Sequence, residues 1–362
     1  MEPGPRPLLL CAAPGIPLLG PSGSSAHLRG VARALHATCV VARREDARGN
    51  HAPDFDRPIL ESGVPGWPSW LRRYRDYREV WTARRIARLA YRQNPSLVWE
   101  RHSLYSDAGW KLHAQGIPWI LEVNAPLVEE RSRYEELSLP TWARSWEKEV
   151  LQAAPRLVAV SAWLTRWLKE EMGCTGEILH LPNGVEPQVG DREATRRRLG
   201  LEGAFVLGFL GSMKPWHGVE RLVELLEIFP DAQGLCVGEG PVRLPSHPRL
   251  RCVGQVSERE AADLVAAMDV GLAPYAADAP PWFCPLKILA YRAQGTPVVA
   301  TDIGDCRLLT EEGGSVVQTT HDFPEAIRAW RGRRAPPSVR SWGQVVGEGL
   351  RPSGAAQKPP SW

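Results

Sequence analysis

The chain has 362 residues, of which 43% are hydrophobic and 23% charged, and its formal net charge is +3. This length predicts two domains, and the composition is that of a soluble globular protein with enough apolar material for two cores. The small net charge does not favour a nucleic-acid-binding protein, so no nucleic-acid partner is expected.

The first half of the chain alternates short apolar runs with amphipathic stretches. Strands are predicted at 8–12, 38–42, 97–100, 118–123, 156–160 and 177–181. Helices are predicted at 25–36, 104–114, 140–153 and 162–172. This alternation is typical of a parallel sheet with helices on both faces.

The same alternation starts again near residue 204, after a polar and highly charged stretch. Strands are predicted at 205–210, 234–237, 250–253, 270–273 and 297–300, and helices at 218–228, 258–268 and 285–293. The sequence therefore predicts an N-terminal Rossmann-like domain at 1–186, a C-terminal Rossmann-like domain at 187–335 and a final segment at 336–362. The tail after residue 350 is rich in Pro, Gly and Ser, which predicts disorder.

The seven cysteines show neither a CxxC pair nor the spacing of zinc ligands. Several lie in apolar runs, which predicts reduced core residues in a reducing compartment. No stretch approaches the roughly 20 apolar residues of a membrane-spanning helix. These features predict a cytoplasmic protein.

The segment 70–92 carries eight arginines and five aromatic residues. One interpretation is a solvated helix face with aromatic anchors. A second is a basic aromatic helix that contacts anionic lipid, which would place the protein peripherally on the inner face of a membrane. Binding of nucleic acid through this segment is a third.

A loop rich in glycine and proline, at 14–24, joins the first predicted strand to a helix. Gly15, Gly23 and Ser24 are small enough for backbone amides to approach an anion, and the helix N-terminus adds positive potential. The loop has neither the lysine of a Walker motif nor the GxGxxG pattern. A plain turn between strand and helix is the alternative.

A second loop, at 208–218, again leads from a strand through glycine into a helix. It adds Lys214 and His217, and cationic side chains beside a helix start suit a diphosphate. A solvated lysine is the alternative.

A third site lies at the start of the helix predicted at 285–293. Pro285 fits the first helical position, so Lys287 falls in the first turn. The helix dipole disfavours a cation there, and a bound anion would remove that conflict.

Several segments together resemble glycosyltransferase family 4. The donor half of that family is matched by 208–218, 237–241, 269–275 and 284–301, its glycine-rich loop by 13–29, and its interdomain segment by 158–161 with 181–185. The resemblance implies the GT-B fold: an α/β protein of two Rossmann-like domains whose parallel sheets face each other across a deep cleft.

The resemblance also implies an activity. This is transfer of a sugar, with retention and without a metal or cofactor, from a nucleoside-diphosphate sugar to a glycan or lipid-linked acceptor. Lys214 and Lys287 match the pyrophosphate cations by position, with His217 beside them. The other donor-side positions are Gly211, Ser212, Glu239, Gly240, Cys284, Pro285 and Leu286. The family more often has Arg and Lys where Ser212 and His217 stand.

One motif departs from the family. Members usually carry two glutamates separated by seven residues, and the second binds the donor ribose; here Trp282 and Ala290 occupy those places. Two alternatives therefore stay open. One is a catalytically weak or silent homologue that binds nucleotide sugars, and the other is a GT-B nucleotide-sugar epimerase.

On the acceptor side, Glu122 and Asn124 come at the end of a predicted strand. Open α/β sheets bind ligands at the carboxyl ends of their strands. Glu122 is therefore predicted to be catalytic and Asn124 to bind the acceptor. His27 is predicted to approach the sugar, and a structural role is the alternative for each of the three.

Overall fold

The computed structural model describes residues 5–47, 49–64, 74–135, 137–186 and 188–352. The chain divides into two compact units. The first unit ends at Asn183 and is joined again by the chain from Trp342, whereas the second runs Gly184–Ser341. The sequence-based boundary after residue 186 differs by three residues. The segment predicted at 336–362 is divided between the two units, and most of the predicted disordered tail lies outside the described residues.

The described part of the first unit contains a sheet of seven parallel strands. They are β1 (Leu8–Cys11), β2 (Thr38–Val41), β3 (Ile59–Glu61), β4 (Val98–Arg101), β5 (Trp119–Val123), β6 (Arg156–Ala159) and β7 (Glu177–His180). They pair in the order β3-β2-β1-β4-β5-β6-β7. Because all are parallel, the residues that follow β1, β4 and β5 lie along one edge of the sheet.

Helices cover this sheet. They are α1 (Gly23–Leu35), α2 (Arg75–Tyr91), α3 (Ala108–His113), α4 (Leu127–Tyr134), α5 (Pro140–Ala153) and α6 (Ala162–Glu170). The helix predicted from residue 104 begins only at Ala108, because Tyr105 has a φ of +65°, which a right-handed helix does not contain. Strand β3 and helix α4 were not predicted.

The described part of the second unit contains six parallel strands in the order β10-β9-β8-β11-β12-β13. They are β8 (Phe205–Leu210), β9 (Ala232–Val237), β10 (Leu250–Gly254), β11 (Val270–Ala273), β12 (Val298–Thr301) and β13 (Gly314–Val317). The helices are α7 (Arg192–Leu199), α8 (Arg221–Ile228), α9 (Glu258–Ala267), α10 (Leu286–Ala293), α11 (Cys306–Thr310) and α12 (Phe323–Trp330). Both predicted series of parallel α/β elements are confirmed.

The charged stretch that the sequence assigned to a polar linker contains helix α7. Two of its four arginines turn inward: Arg192 and Arg196 donate to the two carboxylate oxygens of Asp269 at 2.5 and 2.6 Å. The backbone N–H of Val206 also donates to Asp269, at 2.7 Å. This carboxylate therefore ties α7 to the start of β8.

The last described helix, α13 (Trp342–Gly349), packs against α1 in the first unit. Trp342 is buried, and a Cβ on Gly30 of α1 would lie only 2.2 Å from its Nε1. At the other end of α13, a Cβ on Gly349 would lie 2.7 Å from the Trp99 ring. Glycine at the two positions allows α13 to approach α1 at one end and the sheet at the other.

All seven cysteines are free, and six of them are buried. Cys252 is exposed on the edge strand β10, so the prediction of core cysteines is wrong for this residue.

Among the described helices, none combines the length and the apolar character that crossing a bilayer requires.

Candidate functional site

In the second unit, two glycine-containing loops pack directly on each other. Gly211 follows β8 with a φ of +148°, and Gly238 follows β9 with a φ of +116°. A Cβ on Gly238 would lie 2.1 Å from the Gly211 carbonyl oxygen, and a Cβ on Gly240 would lie 1.8 Å from that of Ser212. Any larger residue at either position would force the loops apart, which explains these glycines physically.

The side chain of Lys287 reaches this loop from the first turn of α10. A Cβ on Gly211 would lie 3.3 Å from the ammonium nitrogen of Lys287. The ammonium lies 4.0 Å from the ring centroid of Phe209 and 4.9 Å from that of Tyr275. Lys287 is only 7% exposed, and its Nζ has no hydrogen-bond partner within the described residues.

Burial without a partner disfavours the charged form of an amine. It lowers the pKa of Lys287 to about 7. The aromatic rings offset part of this cost through cation–π attraction. An anion beside Gly211 would supply the missing partner, so the geometry is that of an anion-binding position.

Tyr291 fixes Lys287 from one turn further along α10. Its hydroxyl accepts a hydrogen bond from the N–H of Leu210 at 2.8 Å and donates to the Leu272 carbonyl at 3.1 Å. A Cβ on Gly271 would lie 2.5 Å from the Tyr291 ring. Helix α10 is thereby held against β8 and β11. Pro285 is the N-cap of this helix rather than its first residue, a shift of one position from the prediction.

His217 closes a short 3₁₀ turn, Pro215–His217, beside the same loop. Its Nδ1 accepts from the N–H of Lys214 at 3.4 Å, so the proton of the neutral ring is on Nε2. Burial, followed by the charges of Lys287 and Lys214, lowers the pKa of His217 to about 2. At pH 7 His217 is therefore a neutral hydrogen-bonding group, whereas the sequence had left a charged imidazole open.

The other donor-side residues surround this position more loosely. Lys214 is exposed, with its ammonium 4.8 Å from the Trp216 ring centroid. Ser212 and Glu239 are exposed, whereas Cys284 and Pro285 are buried and Leu286 is half-buried. Lys287, Gly211, Gly240 and His217 are thus brought together, and Lys214 lies on the rim.

In the first unit, a second polar cluster lies where β5 ends, and Glu122 is at its centre. Glu122 is 2% exposed. One carboxylate oxygen accepts from Trp99 Nε1 at 2.7 Å and the other from Asn124 Nδ2 at 2.6 Å. His27 Nε2 lies 2.5 Å from Oε1, close enough to pair with the carboxylate.

Burial by itself would raise the pKa of Glu122. The charge and hydrogen bonding of His27, the attraction of Arg101 and the hydrogen bond from Asn124 outweigh burial and lower the pKa to about 2. This buried carboxylate accepts a hydrogen bond on each of its oxygens and so holds Trp99 and Asn124 in place. The catalytic role predicted for Glu122 stays a prediction.

Asn124 is the partly exposed member of the cluster. Its amide is held in one orientation, because Oδ1 accepts from Arg101 at 2.9 Å while Nδ2 donates to Glu122. The His27 ring packs 4.7 Å from the ring of Trp342 on α13. Sequence reasoning did not foresee the contacts that Trp99, Arg101 and Trp342 make in this cluster. Trp99 and Arg101 lie at and just after the end of the strand predicted at 97–100, whereas Trp342 lies far away in the sequence.

Hydrogen bonds with residues of α1 hold the glycine-rich loop after β1 in place. Ser22 caps α1 by accepting the N–H of Ser25 at 3.1 Å. The buried guanidinium of Arg29 donates to the carbonyls of Leu18 and Gly20, both at 2.8 Å. Gly15 and Gly23 are exposed and Ser24 is half-buried.

Among the described residues, no cluster of three or more His, Cys, Asp or Glu side chains suits a metal ion.

Two family models match the chain. The model "Glycosyltransferase Family 4" matches residues 21–189, and "Glycosyl transferases group 1" matches residues 204–330. The D-inositol 3-phosphate glycosyltransferase of Geodermatophilus obscurus is 31% identical over 222 residues, which is 52% of this chain and 48% of that protein. The chain spans less than half the length of the curated relatives that it matches.

Solved structures share the fold. A sucrose-phosphate synthase from Thermosynechococcus elongatus aligns with a TM-score of 0.67 at 20% identity, covering 95% of this chain and 94% of that one. Anabaena HepE, solved with UDP-glucose, aligns with a TM-score of 0.66 at 15% identity over the same shares. These likenesses agree with the two parallel α/β units described above. The chain belongs to the family 4-like glycosyltransferases of the GT-B fold.

Proposed function

We propose that the protein transfers a sugar from a nucleoside-diphosphate sugar to an acceptor, with retention at the anomeric carbon. One observation carries the donor assignment: the buried ammonium of Lys287 lies beside the backbone of Gly211 and has no hydrogen-bond partner in the part of the chain that the structure describes. The solved complex of HepE with UDP-glucose supports a nucleotide sugar as the donor class. Retention is supported by the family resemblance.

In this proposal the second unit holds the diphosphate. Lys287 pairs with a phosphate oxygen, Lys214 adds charge from the rim, and the N–H groups after β8 and at the start of α10 donate to the anion. Fixed cations and amides stabilise the negative charge that develops as the nucleoside diphosphate leaves. No metal or cofactor is required, so chelation with EDTA should leave nucleotide binding and transfer unchanged.

A thermal-shift panel tests the proposal directly. Bound ligand stabilises a protein by RT ln(1 + [L]/Kd), about 2.7 kcal/mol at a hundredfold excess over Kd. UDP, GDP and ADP are compared with their sugars, and sugar release is then assayed with the nucleotide that stabilises most. If no nucleoside diphosphate raises the midpoint of unfolding, the donor assignment fails.

The acceptor is proposed to be a glycan or lipid-linked saccharide that meets the first unit at Asn124. Asn124→Ala is expected to lower the transfer rate by about tenfold or more while leaving UDP and GDP affinity unchanged, because an oriented amide is lost in the other unit. Gln152→Ala, which removes an exposed amide bonded to the Met172 carbonyl, is the matched control. Wild-type turnover in Asn124→Ala would place the acceptor elsewhere.

Ala290 gives a separate prediction, since it stands where the family usually has the ribose-binding glutamate. It is half-buried and follows Lys287 by three residues on α10, so the two share a face. Without that carboxylate the wild type should bind donors weakly, in the high micromolar range. Ala290→Glu is expected to tighten UDP or GDP binding by about tenfold, which is roughly 1.4 kcal/mol.

Inorganic pyrophosphate and Ala290→Gln provide the controls, measured by calorimetry. Pyrophosphate has no ribose, so Ala290→Glu should not tighten its binding, and the neutral amide of Ala290→Gln should give a smaller gain with nucleotides. A tight wild-type complex that Ala290→Glu weakens would show that the ribose is held differently. Restored binding without transfer would favour the silent homologue, and conversion of free nucleotide sugar without an acceptor would favour the epimerase.

A further inference from the structure

Helix α2 has its acidic side chains on the buried side and several of its arginines on the exposed side. Its two acidic residues, Asp76 and Glu79, are buried at 0% and 5% exposure. Both accept hydrogen bonds from Arg131 of α4, at 3.0 and 2.6 Å. Arg75 also donates to Glu79, at 2.8 Å, so two guanidinium groups balance the two carboxylates. The charge that the rest of α2 presents outward therefore comes from arginine.

The outward face of α2 combines aromatic and cationic side chains. Tyr77, Trp81, Arg84, Arg85 and Arg88 are all exposed, and their spacing places them on one side of the helix. Tyr77 is 51% exposed and Trp81 43%. We call these five residues the α2 face; with 1.5 Å per residue it is about 17 Å long.

The aromatic side chains of the α2 face are not needed by the core. The opposite side of the helix carries the buried residues, among them Ile86 and Ala87. The guanidinium of Arg85 lies 4.5 Å from the Trp81 ring centroid. Within the described residues, Arg84 and Arg88 make no ion pair. Two large apolar rings thus remain in solvent beside uncompensated cations.

We propose that the α2 face binds the surface of a bilayer that contains anionic lipids. Tyr and Trp rings have an apolar body and a polar tip and favour the headgroup region, while guanidinium groups bind lipid phosphate. A nucleic-acid site would call for a broader basic surface than one helix face in a chain of net charge +3. The α2 face would bring the proposed glycosyltransferase to lipid-linked acceptors, yet binding to vesicles needs neither donor nor acceptor.

Flotation of the full chain with vesicles tests the proposal. Vesicles of phosphatidylcholine alone are compared with vesicles containing 30% phosphatidylglycerol, without nucleotide. The wild type should bind the anionic vesicles and leave the neutral ones unbound. Arg84→Glu with Arg88→Glu should lower the partition coefficient by about tenfold or more, because each basic residue near an anionic surface contributes to binding. Tyr77→Ser with Trp81→Ser should remove the part of the binding that persists in high salt.

The control variant replaces two arginines by glutamate outside the α2 face. Arg243→Glu with Arg251→Glu changes two exposed arginines of the second unit and alters the net charge by the same amount as the α2 pair. This variant should bind anionic vesicles within about twofold of the wild type. Unchanged melting of the α2 variants confirms folding, since all four positions face solvent. Equal binding to both kinds of vesicle, loss of binding in the control pair, or binding to an RNA oligonucleotide without binding to vesicles would overturn the proposal. None of these outcomes bears on sugar transfer.

Discussion

Lys287→Met is expected to stabilise the ligand-free protein while weakening the binding of UDP or GDP by about ten- to a hundredfold. The ammonium of Lys287 is buried, and its Nζ has no hydrogen-bond partner in the described part of the chain. Met fills a similar volume without a charge to desolvate, and replacing buried charge by apolar groups is often neutral or stabilising, by about 1–4 kcal/mol. Losing the charged hydrogen bond to phosphate costs about 1.5–3 kcal/mol of binding.

Lys214→Met is the matched control, because Lys214 is exposed on the rim of the same loop. It should weaken nucleotide binding without raising the stability of the free protein. Calorimetric titration and thermal unfolding of both variants separate the two effects. Unchanged nucleotide affinity in Lys287→Met would refute the phosphate assignment, and lowered stability would show that the ammonium supports the fold.

The pKa of Lys287 also fixes the sign of the pH dependence. Its pKa is lowered to about 7 in the folded chain from an ordinary value of 10.5. Between these values the unfolded chain binds more protons, so stability rises with pH across this window. Diphosphate favours the charged amine, so affinity should fall as pH rises above 7, by up to about tenfold per unit. Titrations at pH 8 in buffers of different ionisation enthalpy should reveal proton uptake, which Lys287→Met abolishes.

Glu122→Ala should destabilise the first unit by about 3–5 kcal/mol, the usual cost of removing one partner from a buried charge pair. The substitution leaves Trp99 Nε1 and Asn124 Nδ2 without their acceptor. Glu129→Ala, on an exposed position of α4, is the control and should change stability by less than about 0.5 kcal/mol. The measurement is denaturant unfolding, with UDP or GDP binding as the check that the second unit is intact.

The same carboxylate predicts an acid transition. The folded pKa of Glu122 is about 2 and its ordinary value 4.5, so its contribution to stability is present above pH 4.5 and is lost as pH falls toward 2. Glu122→Gln should flatten that part of the stability profile. Equal acid sensitivity in wild type and Glu122→Gln would mean that other carboxylates govern it.

Local pattern was enough to predict most strands and the glycine-containing turn that follows β8. Buried parallel strands are short apolar runs, so β8 and β11 were predicted with their observed limits. Lys287 stood out because a cation in the first turn of a helix conflicts with the helix dipole. These signals lie within a few residues of one another, which is why a single sequence reveals them.

Other features depend on partners far away in sequence. The arginines of α7 looked like linker charges because their acceptor, Asp269, is more than 70 residues away. Glu122 looked accessible because its burial depends on Trp99 from the neighbouring strand and His27 from α1. No local pattern in the sequence relates Trp342 to His27.

The packing of α13 on α1 has a consequence for the order of events during synthesis. The ribosome completes residues 8–180, which contain every described strand of the first sheet, long before it reaches Trp342. Until then the surface around Gly30 and the ring of Trp99 lacks its cover. While the whole second unit is translated, the nascent first unit therefore exposes this apolar surface, to which chaperones can bind. A nascent chain stalled before residue 342 should accordingly be more sensitive to protease in its first unit than the released protein.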